Sequence, residues 1–255
     1  MERPISNVYH RIKKRKMAVA LKIEELIDDI EEWYAEVDQN VEETLDQVYE
    51  KVPGKYFGLV SFLIYAISTF TAVFLYLSAD PSYSIFTHWI SHLGDGPNGA
   101  NHVFNIGWFI SSFFLFFFYV YQIRTLRSKK VKEKYLDLLS FTSFSFAIGI
   151  LLIGIFPLHL TVLHTIVAII YFIGRFGFAL IYGSIVLRLS EVSNKVAFAA
   201  FATAACYLLY FLSPIITKYT AQIGITMFFL EWLTLIAEFL MMLMILIQQF
   251  HIEDK

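Results

Sequence analysis

Six apolar runs, at 57–79, 102–123, 136–156, 160–187, 197–217 and 224–248, constrain this chain more than any other feature. A helix crossing the hydrocarbon core of a bilayer needs roughly 20 consecutive apolar residues, and its backbone polar groups must be satisfied within the segment. Each run reaches that length, and the fourth is long enough to tilt or to project past the bilayer. The composition agrees, with 57% hydrophobic and only 16% charged residues, against about 25% charged in an ordinary soluble domain. The sequence predicts an all-α fold, an integral membrane six-helix bundle. It excludes a soluble enzyme, a disulfide scaffold and a disordered chain. Cys206 is the single cysteine, and the net charge of -2 gives no basic surface for nucleic acid.

Basic residues set the expected orientation. Arg124, Arg127, Lys129, Lys130, Lys132 and Lys134 lie between runs two and three, and Arg188 and Lys195 between runs four and five. The other three connections contain Lys218 alone. By the positive-inside rule, both termini and both basic loops are cytoplasmic, and the loops after runs one, three and five face outward.

The first 56 residues differ in kind. Apolar residues recur at Ile23, Ile27, Ile30, Tyr34, Val37, Val41, Leu45, Val48 and Val52, a spacing of about 3.6 that marks an amphipathic helix. The segment starts basic (Arg11, Lys13, Lys14, Arg15, Lys16) and carries twelve acids and no base from Glu24 to Glu50. It reads as a cytoplasmic helix that docks a protein partner or a second copy. Pro53 and Gly54 break it before the first span. The expected domains are residues 1–56, the six-span domain 57–250 and a tail 251–255.

Chemistry is concentrated at the outer ends of the spans. Five of seven histidines, His88, His92, His102, His159 and His164, fall there. In the first outer loop, a short interfacial helix over Ser82–Leu93 would place His88, His92 and Asp95 on one face, at i, i+4 and i+7. Two imidazoles and a carboxylate so spaced suit Zn²⁺, although the sequence firmly implies no cofactor. Glu231, early in the sixth run, is costly in lipid unless it faces the bundle interior. With Ser91 and Asn105, these residues predict a polar pocket opening outward. Arg175 in run four and Glu238 in run six lie at similar depth with opposite charge, so they are expected to pair. No nucleophile elbow, His-Glu-x-x-His, phosphate loop or dinucleotide fingerprint is present.

The stretch from His88 through Ser91, His92 and Leu93 to Gly94, with Pro97 and then Phe104-Asn105, resembles the membrane-protein family catalogued as domain of unknown function 998. So does Gly154-Ile155-Phe156-Pro157 followed by Leu163-His164. The likeness covers about residues 57–187. That family usually has an Asp at the position of His92 and often an acid at that of His159, so the resemblance implies the fold and an exchange of carboxylate for imidazole at both. The six-span layout, with Glu231-Trp232 early in the last span, is also similar to the damage-regulated autophagy modulators and to a lipid-remodelling factor of glycolipid anchors. Neither resemblance implies an activity for this chain.

The leading reading is a binding protein. Its outward pocket of His88, Ser91, His92, Asp95, His102, Asn105, His159, His164 and Glu231 would hold a lipid headgroup or small ligand. A second reading is a metal-dependent lipid hydrolase or transferase, with Zn²⁺ on His88, His92 and Asp95 and Glu231 or Asp95 as general base. A third is a non-catalytic scaffold acting through the cytoplasmic helix.

Overall fold

The computed structural model describes residue 22, residues 39–220 and residues 227–253. Two compact units result, Met1–Val52 and Pro53–Lys255. In the first, 39–51 is helical, with Gln39 Nε2 donating to Glu43 Oε1 on the solvated face. The basic start and the acids from Glu24 to Asp38 lie outside the described residues.

Pro53, at φ -50° and ψ 139°, has no N–H to donate and caps the start of α1 (Gly54–Ala79). The other long helices of the second unit are α2 (Ala100–Ser128), α3 (Glu133–Ile155), α4 (Thr161–Val186), α5 (Asn194–Thr220) and α6 (Phe229–Glu253). The shortest, α3, has 23 residues, or about 35 Å, enough to cross a hydrocarbon core of about 30 Å. All six are long and apolar enough to span a membrane, and no strand occurs among the described residues. The last differs most from expectation. Among the described residues it opens with a π turn at 227–228, is α-helical from Phe229 and runs to Glu253, past residue 251 where the tail was expected; residues 221–226 lie outside the described residues.

Each helix packs on its neighbour in sequence, and α6 returns to α1, so the six close into a ring. Phe74, Phe141 and Phe198 are 72%, 70% and 63% exposed on its outside. Rings so exposed along apolar helices of this length belong against lipid. Small residues bring the helices close. A Cβ on Gly174 would sit 2.7 Å from the Phe146 backbone N, and one on Gly149 equally close to the Cα of Tyr171. Helices α3 and α4 therefore touch backbone to backbone. Hydrogen bonds pin other pairs: Ser61 Oγ donates to the Ser111 carbonyl, Trp108 Nε1 to Thr69 Oγ1, and Thr203 Oγ1 to the Ala237 carbonyl, each at 3.0 Å.

The ring interior is polar at one level. Tyr65 of α1, Tyr119 of α2, Tyr171 and Arg175 of α4, Tyr207 of α5 and Glu238 of α6 meet there, all buried. Glu238 Oε2 accepts from the Tyr171 and Tyr207 hydroxyls at 2.9 and 2.8 Å. Arg175 Nη1 donates to Tyr119 Oη at 2.7 Å, and its guanidinium lies 4.5 Å from the Phe146 ring centroid and 5.3 Å from that of Phe178. Arg175 Nε is 3.8 Å from Glu238 Oε2. The two charges are therefore held by tyrosines and rings, and attract one another without a direct hydrogen bond.

Candidate functional site

The α1–α2 connection is built turn by turn. Asp80 Oδ1 accepts from the Ser82 N–H and hydroxyl at 3.0 and 2.6 Å, which holds its carboxyl below the usual carboxylate range. The expected helix over Ser82–Leu93 does not form. Turns lead instead to a short 3₁₀ helix at Ile90–Asp95. The His92 side chain folds back to cap it, Nδ1 accepting the Trp89 N–H at 2.8 Å. A ring that accepts at Nδ1 is neutral and carries its proton on Nε2, and burial together with neighbouring His88 lowers the His92 pKa. His88 shares a 2.8 Å hydrogen bond with the Thr87 hydroxyl and packs on Tyr83, ring centroids 4.8 Å apart. Burial, then the nearby Glu231 carboxylate, pushes the Tyr83 hydroxyl well above the ordinary phenol range, so it stays a donor.

A second cluster clamps two loops. Asp95 Oδ2 accepts the His159 backbone N–H at 2.6 Å, and Oδ1 lies 2.7 Å from His159 Nδ1. Asn105 Nδ2 donates to the Gly94 carbonyl at 2.9 Å and fixes the end of the 3₁₀ helix to α2. His102 stands apart, exposed on the first turn of α2.

The third cluster surrounds a cavity of about 570 Å³. Ser91, His164 and Glu231 line it together with Trp89, Phe172, Tyr210 and Phe211. A narrow extension runs inward past the same three polar residues to Trp108 and Tyr171. His164 is in the first turn of α4 and donates from Nδ1 to the Phe156 carbonyl at 2.8 Å, which leaves Nε2 of the neutral ring an acceptor. Glu231 is in the first turn of α6, where the helix dipole favours a carboxylate. The Ile90 backbone N–H approaches the carboxyl group. Oε2 is buried and has no hydrogen-bond partner among the described residues. Ile169 and Ile173, also lining the cavity, are 52% and 57% exposed in mid-α4, so the cavity opens sideways toward lipid.

The nine residues expected in one pocket thus divide. Ser91, His164 and Glu231 share the cavity, Asp95 and His159 clamp loops, Asn105 and His92 fix the 3₁₀ helix, His88 joins an aromatic cluster, and His102 is exposed apart from them. His88, His92 and Asp95 do not converge: the rings of the two histidines lie 5.3 Å apart and edge to face, while Asp95 turns to His159. Among the described residues, no three His, Cys, Asp or Glu side chains are grouped to hold a metal ion. Tyr65, Tyr171 and Tyr207 around Glu238, and the aromatic wall of the cavity, were not singled out from sequence. Tyrosine in mid-span was the available signal, since membrane tyrosines concentrate at the interfaces. No family model, no curated protein and no solved structure matches the chain.

Proposed function

We propose that this multi-pass membrane protein binds an amphiphile whose head donates hydrogen bonds, an ammonium or a hydroxyl, at Ser91, His164 and Glu231. The carrying observation is the buried Glu231 Oε2 that has no partner at the edge of the cavity. A buried acceptor left unmet costs about 1–3 kcal/mol, more when charged, so a donor arriving there is favoured. His164 Nε2 adds a second acceptor, and the rings of Trp89, Phe172, Tyr210 and Phe211 suit an ammonium. The apolar tail lies along Ile169 and Ile173, entering from the bilayer. The volume of about 570 Å³ is within the roughly 300–1,000 Å³ of small-molecule sites. Eight bases on the opposite connections support an outward orientation for this end.

The test is titration of the purified full-length protein with a long-chain amino alcohol and with a fatty acid of equal chain length. The amino alcohol should bind more tightly. Glu231→Gln should weaken it by about tenfold or more, the worth of a charged hydrogen bond. Equal affinity for both probes, or a Glu231→Gln variant that binds like the parent, refutes the reading.

A further inference from the structure

We propose that the basic end of the bundle holds a second, separate lipid site, selective for an anionic glycerophospholipid. The inference does not rest on the cavity at Glu231, whose polar α4 residue His164 lies about 24 Å along the helix from Leu180 at the near edge of this second site.

The site starts with a backbone device. Helix α2 ends in a Schellman turn: the Val131 N–H donates to the Leu126 carbonyl at 3.3 Å and the Lys130 N–H to the Arg127 carbonyl at 2.9 Å. Such a turn needs a left-handed residue, and Lys130 occupies it at φ 60°. Glycine adopts that conformation without strain. A lysine there keeps its cation on the turn, between Lys129 and Lys132.

Beneath the turn is a hollow of about 510 Å³ between α3 and α4. Lys129, Lys130, Lys132 and Arg188 line its rim, and Leu138, Leu180 and Ile181 its floor. Leu138 and Leu180 are 49% and 42% exposed, so the floor continues onto the lipid-facing surface. From Leu180 to Arg188 is about 12 Å along the helix axis. A cationic mouth above an apolar trough of that length matches a phosphate head followed by the upper part of an acyl chain.

Charge complementarity selects the occupant. Lys129 pairs with Glu191, and Arg127, outside the hollow, with Glu133. Lys130, Lys132 and Arg188 are exposed and have no acidic partner among the described residues. Asp137 is exposed nearby on α3 but does not line the hollow. Three uncompensated cations at a membrane boundary attract anionic headgroups.

The experiment is native mass spectrometry of the full-length protein with phosphatidylglycerol or phosphatidylcholine of identical chains. Phosphatidylglycerol should be retained preferentially. The Lys130→Gln/Lys132→Gln/Arg188→Gln variant, altered only at exposed positions, should bind it on the order of a hundredfold more weakly. Glu191→Gln, which releases Lys129, should tighten binding severalfold. Lys195→Gln, exposed at the same end but outside the hollow, should change it less than about twofold. The proposal is overturned if the triple variant retains phosphatidylglycerol like the parent, if Lys195→Gln loses as much, or if phosphatidylcholine binds equally. Displacement by millimolar inorganic phosphate also overturns it, because the site would then be one for a free anion.

Discussion

Replacing Glu238 with glutamine removes a charge from the middle of the ring and almost nothing else. The amide oxygen can still accept from Tyr171 and Tyr207, now at 2.9 and 2.8 Å from Oε2. What disappears is the attraction to Arg175, whose Nε is 3.8 Å from that oxygen. At an effective dielectric constant of about 20, two unit charges at this separation attract by about 4 kcal/mol. Removing one partner of a buried pair costs about 3–5 kcal/mol by mutational experience, so the two figures agree. Arg175 is 1% exposed and cannot recover hydration in place. Its Nε and Nη2 make no hydrogen bond among the described residues, so no donor is left newly stranded and the loss is electrostatic. Glu238→Gln should therefore destabilise by about 4 kcal/mol, and adding Arg175→Gln should restore a large part. Equilibrium unfolding in bicelles across the double-mutant cycle measures this directly. Losses that add to within about 0.5 kcal/mol would refute the reasoning, and would mean that Glu238 is uncharged in the fold.

Other consequences follow from single contacts. Tyr207→Phe deletes a 2.8 Å donor to Glu238 and should cost about 1.5–3 kcal/mol in the same unfolding measurement. Gly174→Ala drives a methyl group into the Phe146 backbone N, 2.7 Å away, and should cost about 1–3 kcal/mol by overpacking. Asp95→Ala releases the half-exposed clamp on His159, worth about 1 kcal/mol or less; amides near His159 should exchange up to about fivefold faster, with global stability nearly unchanged. His92 has a folded pKa below its ordinary 6.5, so its contribution is complete above that pH and is lost as pH falls toward the folded value. Unfolding compared at about pH 7.5 and 5.5 should show less acid sensitivity in His92→Asn, whose Oδ1 can still accept the Trp89 N–H; an unchanged difference would assign the acid sensitivity elsewhere.

The six spans are legible because the length and continuity of an apolar run are properties of sequence alone. What surrounds the start of α6 is less so. Hydropathy marks an apolar run there but says nothing of the tertiary contacts that hold the first described turns of the helix. Phe228 packs on Trp89, Phe229 stacks on Phe86, and Trp232 Nε1 donates to the His88 carbonyl at 3.0 Å. Arg175 and Glu238 stand out because an isolated charge in lipid is expensive. The tyrosines that serve them do not, because a tyrosine in a span reads as an apolar ring. Outer histidines are visible as a cluster in sequence, yet their division into cap, clamp and cavity wall depends on the 3₁₀ turn. A helical register at i, i+4 and i+7 would have aligned His88, His92 and Asp95, and the turn removes that register. The hollow under Lys130 combines loop residues with two helix faces, and no single stretch of chain announces it.

The cavity at Ser91, His164 and Glu231 is proposed to receive an amphiphile from the bilayer. Photo-crosslinking tests it most directly, using a long-chain amino alcohol with a diazirine in its tail and the protein reconstituted in vesicles. The account predicts adducts on the α4 peptide containing Ile169 and Ile173 and on the α5 peptide containing Phe211, suppressed by excess unlabelled amino alcohol and by Glu231→Gln. Adducts spread evenly over the outer faces of the helices, unaffected by competitor or by the substitution, would contradict it.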